Sequence, residues 1–149
     1  AGRQRPLTLI SAPAGYGKST LASRWVAARQ CPSGWISLDT DDGDPRVFLS
    51  YVLAAIQTAF PKRNFKTQAL LDAPELPVVS VLARSLLNDL EKVDEAFILV
   101  LDDYHAITNP DIHSALEFLI DHAPVNLHLV IATREAPPFP LARLRVRGT

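Results

Sequence analysis

Directly after an apolar run, Leu7–Ser11, the chain reads Ala12-Pro13-Ala14-Gly15-Tyr16-Gly17-Lys18-Ser19-Thr20. Two glycines, a lysine and two hydroxyls at this spacing can hold phosphate. Gly15 and Gly17 reach positive φ without steric cost, so the loop can fold back and turn consecutive N–H groups inward as an anion nest. A helix that begins at Lys18 adds its positive N-terminal end. In that setting Lys18 reaches the β- and γ-phosphates and the Ser19 hydroxyl ligates Mg²⁺. The phosphate-loop pattern is G-x-x-x-x-G-K-[ST], and Ala12 stands where its first glycine would be. That position precedes the tight part of the loop, where alanine adopts ordinary β-region dihedrals. The plainer alternative, a strand–helix turn that happens to carry a lysine, leaves the agreement of strand, helix, Lys18 and Ser19 unexplained.

A second apolar run, Phe97–Leu101, ends in two carboxylates, Asp102 and Asp103. In P-loop NTPases a second strand supplies an aspartate that holds Mg²⁺. Asp102 fits that role, acting through water, and Asp103 could orient or polarise the water that attacks the γ-phosphate. Adjacent strand residues point to opposite sides, so different roles for the two are expected. Alone, an Asp pair at a strand end is more often a solvated turn or a cap, and the phosphate loop reverses that reading. Past another apolar run stands Ala132-Thr133-Arg134. If that strand lies beside the phosphate loop, Arg134 or Thr133 faces the γ-phosphate; otherwise Arg134 is a solvent-facing arginine at a strand end.

Other polar clusters are plainer. Asp39-Thr40-Asp41-Asp42-Gly43-Asp44 invites a calcium-loop reading that fails, because glycine falls on a ligand position and Ser50 stands where glutamate should close the loop. A turn with a helix cap accounts for it. His105, His113, His122 and His128 have no metal-ligand spacing, although His105 follows the Asp pair and could lie near a nucleotide. Arg143, Arg145 and Arg147 read as a solvated helix edge. Cys31 is the single cysteine, which excludes an internal disulfide.

These residues need a scaffold, and the apolar pattern supplies one. Leu7–Ser11, Trp35–Leu38, Phe97–Leu101 and Leu127–Ala132 are continuous apolar runs, as in strands buried on both faces of a parallel sheet. Helices are expected over Lys18–Gln30, over Pro45–Phe60 with Asp44 as cap, over Val78–Val93, and from Asn109 (cap) and Pro110 to about Pro124. Pro61–Pro77, with Pro61, Pro74 and Pro77, reads as an irregular connection. Strands alternating with helices predict an α/β fold, a P-loop NTPase parallel sheet with helices on both faces. The 149 residues suit one domain, 1–149. Net charge of −1 argues against a surface built for a phosphate backbone. No apolar run is long enough to span a membrane, and Ala1–Pro6 carries no signal-peptide pattern, so a cytoplasmic location is expected. The prolines 137, 138 and 140, and the apolar-basic stretch after them, suggest a fragment of a larger protein.

Four strings together, SAPAGYGKSTL (11–21), WISLDTDDGDP (35–45), FILVLDDYH (97–105) and LVIATREAPPFPLARLRVRG (129–148), resemble the nucleotide-binding domain of the MalT-like group of LuxR-type transcriptional regulators, in the STAND class of signalling ATPases. The resemblance covers essentially the whole chain. It implies a Walker A loop at Pro13–Thr20, Walker B acids at Asp102 and Asp103, and a sensor arginine at Arg134. It further implies ATP/ADP switching with Mg²⁺, slow hydrolysis, an inducer bound elsewhere, self-association in the ATP state, and DNA contact only through a C-terminal helix-turn-helix outside these residues. Such domains order their strands 5-1-4-3-2, with the fifth expected just beyond Thr149. The runner-up is a P-loop small-molecule kinase. It needs a basic lid, and Pro61–Pro77 offers only Lys62, Arg63 and Lys66; two adjacent acids also suit water activation better than transfer to a bound acceptor.

Lys18→Ala is expected to weaken ATP binding about ten- to a hundredfold without unfolding the chain, the effect of losing one charge-assisted contact. Calorimetry on the folded variant checks this, and unchanged affinity would refute the phosphate-loop assignment.

Overall fold

The computed structural model describes residues 7–11, 18–29, 31–39, 43–133 and 145–148. Its centre is a pair of strands, β3 (Phe97–Asp102) and β4 (Leu127–Thr133), in which every residue is buried. Burial on both faces explains why their sequences are continuously apolar. Leu99, Leu101, Leu129 and Ile131 feed one core, whereas Ile98, Val100, Val130 and Ala132 feed a second, smaller one on the opposite face.

Three further strands flank this pair: β1 (Leu7–Ser11), β2 (Ser33–Ser37) and β5 (Arg145–Gly148). The sheet runs β2-β3-β4-β1-β5 and all four pairings are parallel. Parallel strands require crossovers, supplied here by helices. Helix α1 (Lys18–Arg29) places Val26 against the smaller core. The larger core takes α2 (Pro45–Ala59), α3 (Thr67–Asp72), α4 (Val79–Glu91) and α5 (Pro110–His122). Helix α2 lies so close to β2 that a Cβ on Gly34 would fall 2.9 Å from the Ala55 Cβ, so this position needs glycine for space.

The caps read from sequence are present. Asp44 accepts from the Arg46 N–H at 2.8 Å and Asn109 from the Asp111 N–H at 2.9 Å, each followed by proline at the first helical position.

The expectation of burial on both faces fails at β2, which spans Ser33–Ser37 and alternates exposed and buried residues, with Trp35 39% exposed. Two further expectations need correction. The connection 61–77 contains helix α3, which has no cap of its own: Lys66 precedes it without a side-chain capping bond. The cap comes from α4. Asp89, 4% exposed, accepts from the Lys66 N–H at 3.1 Å, the Thr67 N–H at 2.8 Å and the Thr67 hydroxyl at 2.6 Å. Arg46 of α2 closes the other end, donating to the Leu71 and Ala73 carbonyls. The second correction concerns the edge strand expected beyond Thr149. It is β5, pairing Thr8 with Arg145 and Ser11 with Gly148. Arg145 and Arg147 therefore lie on a strand and not on a helix edge, while Arg143 falls outside the described residues. An edge strand has one side of its ladder open and accepts charged residues, which is why no apolar run announced it.

Asp89→Ala removes the acceptor for two backbone donors and a hydroxyl, and should lower unfolding free energy by about 2–4 kcal/mol. Urea denaturation measures this; a change below about 0.5 kcal/mol would show that α3 is held by apolar packing alone.

Candidate functional site

In a parallel sheet the C-terminal ends of all strands meet at one edge, and ligands bind in the crevice outside it. Ser11 at the end of β1 is paired with Thr133 at the end of β4, and Ser37 at the end of β2 with Asp102 at the end of β3. Helix α1 starts at this edge with Lys18, Ser19 and Thr20. The fold thus brings the backbone of the Lys18-Ser19-Thr20 segment and the Asp102-Asp103 pair to the same edge, with β4 between their strands. Pro13, Ala14, Gly15, Tyr16, Gly17 and Arg134 lie outside the described residues, as do the side chains of Lys18, Ser19 and Thr20. Thr133 is described: it is 1% exposed, the last residue of β4.

Asp102 is buried, 4% exposed. Its carbonyl accepts the Leu38 N–H at 3.0 Å, and its Oδ1 accepts the Asp103 N–H at 2.9 Å. Asp103 does not continue the strand. Its backbone is left-handed, φ 59° and ψ 40°, the one non-glycine residue with positive φ among those described. This corrects the expectation that strand alternation separates the two residues: the strand ends at Asp102 and the chain turns over at Asp103. Left-handed backbone costs about 1–2 kcal/mol per residue for most L-amino acids, and aspartate is among the few that visit it.

The residues after Asp103 hold the turn in place. A 3₁₀ turn spans Tyr104–Ala106, with the Ala106 N–H on the Asp103 carbonyl at 3.0 Å and the Ile107 N–H on the Tyr104 carbonyl at 2.9 Å. Tyr104 is 1% exposed, and its hydroxyl lies 2.6 Å from Nδ1 of His113 on α5. Burial pushes the Tyr104 phenol well above its ordinary pKa, so it stays protonated. Burial also pushes His113 below its ordinary value, against the opposing effect of a hydrogen bond with the Ile107 backbone. Farther along, the Asn109 amide that caps α5 also donates to the Gly43 carbonyl at 2.8 Å, tying the loop after β3 to the loop after β2. Sequence reading missed Tyr104, His113 and the second role of Asn109. Only the Asn-Pro cap signal pointed near them.

The remaining histidines lie elsewhere or do less. His105 is half-buried within the 3₁₀ turn. His128 is buried on β4 beside Ile98, toward the start of the strand, and His122 closes α5 with Nδ1 3.0 Å from the Phe118 carbonyl.

Known proteins share both the sequence and the fold. The chain is 45% identical over 141 residues to the HTH-type transcriptional regulator MalT of Yersinia enterocolitica, and 43% identical over 141 residues to that of Serratia proteamaculans, covering 95% of this chain in both cases. Over nearly its whole length the chain is similar to one segment of MalT regulators. It spans 16% of the length of these relatives. No protein-family model matches it. Among solved structures, the chain is similar to Cdc6p of Pyrobaculum aerophilum, with a TM-score of 0.56 and 17% identity over 90% of this chain and 34% of that one. It is similar also to a chain of Drosophila ORC bound to AT-rich DNA and Cdc6, with a TM-score of 0.58 and 12% identity over 96% of this chain and 47% of that one. At such identities the likeness establishes the fold alone, a parallel sheet with helices on both faces.

The left-handed turn gives a stability test. Asp103→Gly should fold within about 1 kcal/mol of the parent, because glycine takes this backbone freely. Asp103→Val should lose about 1–2 kcal/mol, since a β-branched side chain cannot. Equal stabilities for both variants in chemical denaturation would contradict the turn geometry.

Proposed function

We propose that this chain is the ATP-binding, slowly hydrolysing switch module of a signal-responsive transcriptional regulator. The observation that supports the reading best is the placement of Asp102 and Asp103 on the sheet edge where α1 begins with Lys18-Ser19-Thr20. Residues Pro13–Thr20 wrap the phosphates, with backbone N–H groups and Lys18 as donors. Mg²⁺ suits the donor set, since a carboxylate and a hydroxyl are hard oxygen ligands and this ion is commonly held by one or two carboxylates together with substrate phosphates. Ser19, and Asp102 through water, would hold it, and bound there it would neutralise charge on the phosphates. Asp103 accepts a proton from the attacking water and orients it, and Arg134 senses the γ-phosphate.

The output of such a module is a conformational state. In this reading ATP favours self-association, and DNA is contacted by a helix-turn-helix domain outside these residues, in the cytoplasm. Among the described residues, no helix is long and apolar enough to cross a membrane. The kinase alternative loses ground at α3. The segment it would need as a mobile lid carries a helix held to α4 by three bonds to the buried Asp89.

The two acids should separate. Asp102→Ala is expected to weaken the Mg²⁺ dependence of ATP binding. Asp103→Asn should bind MgATP within about twofold of the parent yet hydrolyse it at least about a hundredfold more slowly in single turnover, because an amide cannot take the water's proton. Equal loss of binding in both variants, or unchanged turnover in Asp103→Asn, would defeat the assignment. Rapid phosphate transfer to a small-molecule acceptor would favour the kinase.

A further inference from the structure

Tyr104 carries a hydroxyl into a position that packing alone would fill with phenylalanine. The residue is 1% exposed and ranks among the largest fully buried side chains. Its ring meets the imidazole of His113 edge-on, with centroids 5.4 Å apart and planes at 65°. The 2.6 Å contact between the phenolic oxygen and His113 Nδ1 joins two segments nine residues apart in sequence. Tyr104 is also the residue directly after Asp103. On one side, Asp103 is held by its own N–H on the Asp102 carboxylate at 2.9 Å. On the other, its carbonyl takes the Ala106 N–H at 3.0 Å. Both of these bonds are local to the turn. The Tyr104–His113 bond fastens the turn to the body of a helix, and α5 is packed into the larger core through Ile112, Leu116, Leu119 and Ile120.

We propose that Tyr104 and His113 are positioning residues: their hydrogen bond anchors the left-handed turn at Asp103 to α5 and thereby fixes the direction of the Asp103 carboxylate. This rests on the reading of Asp103 as the group that orients the attacking water. A left-handed aspartate relaxes toward ordinary backbone unless its surroundings over-determine it, and catalysis that depends on orientation is lost when the group wanders by about 1 Å. Neither Tyr104 nor His113 need touch nucleotide. Their effect belongs to the hydrolytic step and not to binding, since in the proposed reading the phosphates are held by Pro13–Thr20 and not by these two residues. Burial keeps the phenol protonated and the imidazole neutral, which suits donation from the Tyr104 hydroxyl to a ring lone pair.

The test compares Tyr104→Phe, His113→Leu, the double variant and His113→Gln, each checked for folding by thermal melting, with ATP affinity from calorimetry and hydrolysis from single turnover. Tyr104→Phe and His113→Leu should each slow hydrolysis about tenfold, the value of one net hydrogen bond, with ATP affinity within about twofold of the parent. The double variant should be no slower than either single one, because both remove the same bond. His113→Gln, whose amide can meet the phenol, should recover most of the rate. If Tyr104→Phe does not fold, His113→Leu carries the test, because His113 is only half-buried. Hydrolysis within about twofold of the parent in the folded variants would overturn the proposal, as would binding and hydrolysis falling together. A parent chain that binds no ATP would overturn the nucleotide reading and this inference with it. A parent that binds and hydrolyses ATP, with variants unchanged, would overturn the inference alone.

Discussion

Burial of β3 and β4 on both faces is the constraint on which the rest of the molecule depends. Val100, Leu101, Val130, Ile131 and Ala132 have no solvent exposure, and each such side chain of valine size or larger contributes roughly 1.5–3 kcal/mol by leaving water. Two apolar faces demand two covering layers, so helices must cross on both sides of the sheet. Once they do, the strand flanks are closed and only the strand ends remain open to a ligand. The position of the candidate site is therefore a consequence of where the core is, before any site residue is considered.

At that edge the chain must change from apolar burial to exposed chemistry within one or two residues, and β3 does so at Asp102. The carboxylate is buried but partnered by the following amide, and the next residue turns left-handed. Short-range bonds could form this turn in isolation. What makes it a fixed feature is the set of ties to distant elements: Tyr104 to α5, Asn109 to the loop before α2, and the Leu38 amide to the Asp102 carbonyl. The same logic recurs at α3, whose first turn is completed by a carboxylate from α4. Buried polar groups of this kind cost several kcal/mol if left unpaired, which makes each tie specific to one arrangement.

The features legible in sequence are those carried by local pattern. Continuous apolar runs marked β1, β3 and β4, and Asp44-Pro45 and Asn109-Pro110 marked the starts of α2 and α5. The Asp102-Asp103 pair was visible because it ends an apolar run. Features that depend on distant partners were not visible. Helix α3 lacks a cap within its own residues, β5 is an edge strand with charges and no apolar run, and the Tyr104–His113 bond obeys no spacing rule. The left-handed backbone of Asp103 was hidden for a related reason, since aspartate is tolerated there but does not require it. The phosphate loop is the most specific signal in the sequence, and its residues 12–17, with Arg134, lie outside the described structure.

Nucleotide binding at the strand-end edge, between the start of α1 and the end of β3, is tested most directly by backbone amide chemical-shift mapping with a slowly hydrolysed ATP analogue and Mg²⁺. The largest changes should fall on Ser11, Lys18, Ser19, Thr20, Asp102, Asp103 and Thr133, with little change along the exposed faces of α4 and α5. Saturable shifts centred on α4 and α5, or no shifts at millimolar nucleotide, would contradict this placement.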